Sequence, residues 1–239
     1  ANGQTAPEEK PPAQEAPAEP PSDSTSVPSD DPQEGPQPDE TDPAEPAGEE
    51  PTEPQPEADP EIDTPDESDA SYAGSVVVVG DRAMEIPTRL DDIITSYAAA
   101  VGNLAKALGP DVRTISLVTP NGGEFYSPES MHQGLNSQKD MIDYCYSQMN
   151  GSILTVDAYS KLRAHTDEYI FFRTDHHWTQ LGAYYAYTAF CEAAGFEAVP
   201  LDAFETGRYD RFVGSMYNFT ANYPQSQTLL DNPDYLEYY

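Results

Sequence analysis

The spacing of apolar residues predicts that strands alternate with helices between Ser75 and Ala194. Short runs rich in β-branched or aromatic residues have the length and composition of buried strands. The predicted strands are Ser75–Val79, Thr114–Val118, Ile153–Val156 and Tyr169–Phe172. Between these runs, apolar residues recur at helical spacing and are bounded by start and stop residues. The predicted helices are Thr88–Leu108, Gln138–Met149, Asp157–Arg163 and Thr179–Ala194.

This alternation favours β-α-β crossovers, in which parallel strands form a sheet with helices on both faces. We therefore predict an α/β fold with three layers (α/β/α) and a mostly parallel sheet. The pattern weakens after Pro200, and Asn218–Tyr239 has the composition of an irregular loop. We interpret this tail as a loop packed on a domain whose remaining C-terminal part is missing.

The candidate chemistry lies in the run Asp175, His176, His177, Trp178, between the predicted strand Tyr169–Phe172 and the helix after it. Ligands of open α/β sheets bind at the carboxyl ends of strands. A carboxylate two residues before an imidazole is able to orient the ring and stabilise its protonated form. We predict that His177 is a general base and Asp175 its orienting acid. The alternative roles are a structural histidine and a turn carboxylate.

The segment Arg173–Tyr187 resembles the signature of the DHHW protein family, through Asp-His-His-Trp at 175–178. Weaker matches are Gly-Asp-Arg at 80–82, Ser-Gln-Lys-Asp at 137–140 and Phe-Val-Gly-Ser-Met-Tyr at 212–217. That family is related to SGNH-hydrolase-like proteins that O-acetylate extracellular polysaccharides, such as the alginate acetylation proteins AlgX and AlgJ. The resemblance implies a flavodoxin-like SGNH-type fold and a Ser-His-Asp acyl-transfer site that includes Asp175 and His177.

The same resemblance implies a nucleophilic serine in an Asp-Ser context after the Asp-x-His element. No Asp-Ser pair follows His177, so we expect the serine beyond Tyr239 and expect this chain alone to be inactive. Ser215 is a weaker candidate because it lacks the Gly-x-Ser-x-Gly elbow. Arg82 stands where SGNH hydrolases carry the serine of Gly-Asp-Ser, and arginine is no acyl nucleophile. Two arrangements explain this difference: a permuted site, in which the serine comes late in the chain, and a degenerate site, which is inactive.

Five residues are candidates for a substrate site, namely His176, Trp178, Arg173, Tyr126 and Asn121. His176 is expected to point away from His177, because neighbours in an extended segment alternate in direction. Trp178 would wall the site against water or serve as a core aromatic residue. Asn121 would present its amide to an oxyanion or form an Asn-Gly turn.

We predict no metal and no cofactor. Asp-His-His also resembles the manganese motif of the DHH phosphoesterases, which need further Asp and His clusters. Here only His132 and His165 remain, without matching acids. The DHHC acyltransferases require a cysteine where Trp178 stands, which excludes that class.

Composition separates residues 1–72 from a domain over 73–239. Residues 1–70 hold 22 acidic residues against one lysine, and 17 of the 24 prolines. Such a segment cannot bury enough apolar surface to offset chain entropy, so we predict a disordered acidic Pro-rich linker. The linker accounts for most of the net charge of −32. This acidity argues against binding to nucleic acid or to anionic lipid.

No segment has the length of a membrane span or the pattern of a signal peptide. Acidic Pro-rich spacers are familiar in exported bacterial surface proteins, so we predict an extracellular or cell-surface location, with the signal or anchor outside this chain. Cys145 and Cys191 fall in predicted helices, where free buried thiols are favoured over a disulfide.

We therefore predict an exported O-acyltransferase or esterase domain that acetylates or deacetylates a cell-surface polysaccharide. The resemblance implies a polysaccharide substrate and a membrane-bound O-acyltransferase as partner. The alternative is a non-catalytic carbohydrate-binding or scaffold domain with a degenerate SGNH fold, which Arg82 and the 16 tyrosines of the chain favour.

Overall fold

The computed structural model describes residues 62–239, so most of the predicted linker lies outside the described residues. The strands are β1 (Ala70–Ala73), β2 (Val76–Val79), β3 (Arg82–Glu85), β4 (Thr114–Leu117), β5 (Ile153–Val156), β6 (Gly207–Phe212) and β7 (Asp234–Tyr238). The helices are α1 (Asp91–Leu108), α2 (Gly123–Tyr126), α3 (Gln138–Ser147), α4 (Ala158–Arg163), α5 (Gln180–Ala194), α6 (Ser215–Thr220) and α7 (Gln225–Asp231). Strand β1 begins before the predicted domain start at residue 73.

Strands β1, β2 and β3 form an antiparallel sheet, so the predicted strand at Ser75–Val79 exists but is not the first strand of a parallel sheet. Two-residue turns join the three strands, with Gly74 and Gly80 at positive φ. Turns of this length connect antiparallel neighbours, whereas a parallel pair needs a long crossover. Gly80 and Asp81 therefore form a hairpin turn, and Arg82 begins β3.

Strands β4 and β5 are parallel, with Thr114 paired to Ile153 and α3 between them in sequence. This pair confirms the α/β class. Among the sheets of residues 62–239 it is the one parallel pair, because β1–β3 and β6–β7 are antiparallel. The predicted mostly parallel sheet is thus replaced by three small sheets in this part of the chain.

In the predicted strand Tyr169–Phe172 the last three residues are buried, but the run is not a sheet strand. Its backbone turns back on itself: Thr179 N–H donates to the Ile170 carbonyl at 2.8 Å, and Phe172 N–H donates to the His177 carbonyl at 3.2 Å. A single antiparallel bridge joins Phe171 to Trp178. The apolar composition therefore indicated burial correctly. The run pairs with the nearby residues 177–179 and not with a strand of a sheet.

The predicted helices are confirmed, with small shifts at their ends. Ser137 and Thr179 accept backbone N–H groups at the starts of α3 and α5, as N-cap residues do. Gly195 adopts the left-handed conformation that ends α5. Gly182 lets α5 approach the preceding segment, because a Cβ atom there would overlap the carbonyl oxygen of Ile170.

Helix α1 is amphipathic as predicted, yet Ala98 is its one buried residue. Ile93 is 64% exposed and Leu104 is 55% exposed. Its apolar stripe is therefore largely open to solvent in the described part of the protein.

The tail after Pro200 is more regular than predicted, since it contains β6, α6, α7 and β7. Strands β6 and β7 pair in antiparallel register, with Tyr209 opposite Leu236. These elements have at most seven residues each, which is too short for a sequence period to identify them.

Cys145 and Cys191 are free and buried, which confirms the predicted thiol state. No helix within residues 62–239 combines the length and hydropathy needed to cross a membrane.

Candidate active site

Asp175, His176 and His177 lie in a loop that the Phe171–Trp178 bridge closes at its base. Strand β3 holds this base from one side. Ala83 N–H donates to the Arg173 carbonyl at 2.8 Å, and the Arg82 guanidinium donates to the Phe172 carbonyl at 3.0 Å. The loop is therefore anchored to the antiparallel sheet through its backbone.

Asp175 and His177 form a hydrogen-bonded acid–imidazole pair. The Nδ1 atom of His177 lies 2.6 Å from Oδ1 of Asp175, and the His177 backbone N–H donates to the same oxygen at 3.0 Å. The His177 side chain is 65% exposed, while that of Asp175 is 10% exposed. If Nδ1 carries the proton, Nε2 is the acceptor, and it has no hydrogen-bond partner within residues 62–239. The arrangement suits a general base.

The second oxygen of Asp175 accepts the backbone N–H of Ser215 at 2.8 Å. Burial alone would raise the pKa of Asp175. The N–H groups of Ser215 and His177, and the His177 ring, outweigh burial and lower this pKa to about 2. Asp175 is therefore a carboxylate throughout the neutral range.

We expect the Asp175 carboxyl carbon to titrate with a midpoint near pH 2 in ¹³C NMR, below the ordinary value near 3.8. Because the folded-state pKa is lowered, the stabilisation from Asp175 is fully present above about pH 4 and is lost as the pH falls towards 2. The stability difference between wild type and Asp175→Asn should shrink over the same range. A midpoint near 4 would contradict the described hydrogen bonds.

Asp234, at the start of β7, holds the backbone that precedes Asp175, a role that no local sequence signal predicted. Its Oδ2 accepts Thr174 N–H at 2.7 Å and the Thr174 hydroxyl at 2.6 Å. Its Oδ1 accepts Arg173 N–H at 3.0 Å and also the Tyr169 hydroxyl. Thr174 Oγ1 in turn accepts Gly214 N–H at 2.9 Å. A buried carboxylate thus orders the residues on both sides of Asp175.

Gly214 packs directly on Asp175. A Cβ atom at position 214 would lie 2.5 Å from Asp175 Oδ2 and 2.8 Å from its Cα. We expect Gly214→Ala to displace the carboxylate and to lower the free energy of unfolding by about 1–3 kcal/mol. Urea unfolding measures this loss. Gly151→Ala is the matched control, since a Cβ there meets nothing within 4 Å; equal losses in the two variants would argue against the clash.

The expectation that His176 points away from His177 is wrong, because this loop is not extended and the two rings lie side by side. The Nδ1 atom of His176 lies 2.7 Å from the Ser215 hydroxyl oxygen. Its ring is tilted by 35° against the His177 ring, with the ring centroids 4.0 Å apart. Ser215 is thus paired with the neighbouring imidazole and not with the predicted base.

Asp175, His176 and His177 each offer a potential metal-ligand atom within 4.8 Å of the others. Both Nδ1 atoms are already hydrogen-bonded, to Ser215 and to Asp175, so only the Nε2 atoms of the two rings remain as nitrogen donors. That no metal binds here remains a prediction from the sequence.

A cavity of about 800 Å³ brings together four of the seven predicted site residues, namely His176, His177, Trp178 and Asn121. Asn121 uses its side chain to form the turn. Its Oδ1 accepts Gly123 N–H at 2.8 Å, and its Nδ2 donates to the Glu85 carbonyl at 3.2 Å. This is the turn role that the sequence also suggested.

Arg173 and Tyr126 do not line this cavity. Arg173 forms an ion pair with Asp81 at 2.7 Å and contacts Asp234, so it joins the β2–β3 turn to β7. The Tyr126 hydroxyl donates to the Thr166 carbonyl at 3.1 Å, and its ring lies under the Arg82 guanidinium. Both side chains have structural partners, and we do not include them in the proposed site.

The described part of the chain thus has an α/β fold with an exposed histidine that a carboxylate orients. The DHHW protein family model matches residues 54–239. The chain belongs to the DHHW protein family, which confirms the resemblance found in the sequence.

A solved structure from the same family agrees with this assignment, and two further structures are similar to the chain. A DHHW family protein from Eubacterium siraeum is 33% identical over 72% of this chain and 56% of that chain, with a TM-score of 0.65. PatB1 of Bacillus cereus, solved with a sulfonyl adduct, is 16% identical over 69% of this chain and 54% of its own, with a TM-score of 0.50. The O-acetyltransferase domain of Pseudomonas putida AlgJ is 22% identical over 68% and 61%, with a TM-score of 0.45. The chain thus spans little more than half the length of these proteins. No curated protein matches its sequence.

Proposed function

We propose that this domain supplies the acid–base part of a Ser-His-Asp acyl-transfer site. The observation that carries the proposal is the 2.6 Å contact between Asp175 Oδ1 and His177 Nδ1, in a histidine whose side chain is 65% exposed and lines the cavity. Membership of the DHHW family gives further support.

In the proposed reaction, a serine hydroxyl attacks the carbonyl carbon of an ester. Nε2 of His177 takes the serine proton, and Asp175 stabilises the imidazolium that forms. The proton then passes to the leaving alcohol as the acyl-serine forms. A sugar hydroxyl or water, deprotonated by His177, releases the acyl group and regenerates the serine. We place that serine beyond Tyr239, because Ser215 contacts His176.

The family and the acidic N-terminal segment support a proposal for the biological setting. We propose an exported protein that adds acyl groups to, or removes them from, a cell-surface polysaccharide. A membrane-bound O-acyltransferase would supply the acyl group in the transfer direction.

Trapping the acyl-enzyme tests this proposal. The full-length protein is incubated with p-nitrophenyl acetate, quenched in acid and digested for mass spectrometry. We expect one acetylated serine C-terminal to residue 239 in the wild type and a strongly reduced amount in His177→Gln. Acetylation that is unaffected by this substitution would refute the proposal.

A non-catalytic carbohydrate-binding role is the second candidate, and one surface feature favours it. Tyr209 and Tyr238 are exposed neighbours on the β6–β7 sheet, with ring centroids 5.8 Å apart. Sugar binding without turnover, unchanged in His177→Ala, would support this role over the catalytic one.

A further inference from the structure

An apolar groove begins at the His176–His177 loop and runs between α1 and α3. We call it the α1–α3 groove and define it by Ile93, Ile94, Tyr97, Met141, Ile142 and Trp178. Ile93 and Tyr97 are 64% and 44% exposed, so the groove is open to solvent. It shares one cavity with the proposed general base.

Two amide side chains in this cavity have little capacity left for a polar ligand. The backbone N–H of Asn121 donates to Gln138 Oε1 at 2.8 Å, and Gln138 Nε2 donates to Asn121 Oδ1 at 2.9 Å. The Nδ1 atoms of His176 and His177 are bound to Ser215 and Asp175, as described above. The cavity is therefore mainly apolar, with the outer face of the His177 ring as its reactive polar group.

We infer that the α1–α3 groove binds the acyl chain of the ester substrate, and that acyl groups longer than acetyl are preferred. The inference rests on the proposed function for the chemistry of the occupant. An alkyl ester has one polar carbonyl group and an apolar chain. The carbonyl would lie beside the imidazole of His177, and the chain would lie against the apolar wall of the groove. A sugar in the groove would leave several hydroxyls without partners, which is unfavourable.

A polypeptide is a poorer match for the same wall. Its backbone N–H and C=O groups need partners when they are covered. Pro87 and Pro120 line the cavity and have no backbone N–H to offer. The side-chain oxygens of Asn121 and Gln138 already accept hydrogen bonds, each from the other residue.

Trp178 is the single tryptophan of the chain and lines the groove, so its fluorescence reports binding in the groove. Methyl acetate, methyl butyrate and methyl hexanoate are titrated into the 239-residue chain while Trp178 fluorescence is recorded. Binding requires no nucleophile, so the chain is usable as it stands. We expect affinity to rise about threefold for each added methylene as apolar surface is buried.

Two exposed positions on α1 provide a matched pair of variants. Ile93→Glu places a charge in the groove, and Leu104→Glu places the same charge on the same helix outside it. Both side chains are more than half exposed, so both variants should fold, which circular dichroism checks. We expect Ile93→Glu to weaken methyl hexanoate binding at least tenfold and Leu104→Glu to leave it unchanged.

Three results would overturn the inference: an affinity that does not depend on chain length, equal effects of the two charges, or a dimer that Ile93→Glu dissociates. The last result would show that a second copy covers the groove. Failure here is distinguishable from failure of the proposed function. Acyl-enzyme that still forms from p-nitrophenyl acetate, with no chain-length preference, would reject the groove and retain His177 as base.

Discussion

Replacing His177 by glutamine is expected to lower kcat/KM for p-nitrophenyl acetate in the full-length protein by a factor on the order of 10⁴. Glutamine keeps a polar side chain of similar reach but cannot accept the serine proton at Nε2. Asp175 would remain ionised beside it, because its hydrogen bonds from Ser215 N–H and from the backbone N–H of residue 177 are retained. The measurement is initial-rate kinetics at neutral pH on folded protein.

His165 provides a close control for this experiment. Its Nδ1 lies 2.8 Å from a Glu168 carboxylate oxygen, so it is also a carboxylate-bound histidine, and it does not line the cavity. His165→Gln should leave kcat/KM unchanged. A comparable loss in both variants would point to a general effect of removing a histidine, and no loss at His177 would exclude it as the base.

Replacing Asp234 by alanine is expected to lower the free energy of unfolding by about 3–5 kcal/mol. The Asp234 side chain is fully buried and accepts hydrogen bonds from Tyr169, Arg173 and Thr174. Its removal leaves these donors without an acceptor and leaves the Arg173 cation with less compensation. Urea unfolding monitored by circular dichroism gives the difference.

Asp210→Ala is the control for this second prediction. Asp210 is also an aspartate bound to an arginine, with Oδ1 at 2.6 Å from Arg208 Nε, but its side chain is 70% exposed. Solvent-exposed ion pairs contribute little, so no measurable change is expected. If Asp234→Ala were as mild as Asp210→Ala, the buried carboxylate would not be holding the loop.

Local signals in the sequence were sufficient to predict the helices and the hydrogen-bonded pair of Asp175 and His177. The caps of α3 and α5 lie within three residues of the groups they bind, so a short motif identifies them. The same is true of Asp175 and His177, which are two residues apart. A turn of this length constrains both side chains before any tertiary contact forms.

Long-range contacts were the part that the sequence did not reveal. Asp234 binds Thr174 across 60 positions, and Ser215 binds His176 across 39. Asp234 and Ser215 lie in a tail with no regular sequence pattern. Their distance in sequence from Thr174 and His176 therefore does not indicate that they are partners. The β-branched run at Ser75–Val79 shows the same difficulty, because its composition indicates a buried strand but does not choose between parallel and antiparallel neighbours.

The contact between Asp234 and Thr174 also sets an order of assembly. During synthesis the Asp-His-His loop leaves the ribosome first, and its buried carboxylate follows 60 residues later. At ordinary elongation rates this interval lasts about 3 to 12 s. Throughout that interval the nascent chain displays the loop without its buried support, so the hydrogen bonds that hold Arg173 and Thr174 form only after Asp234 has been translated.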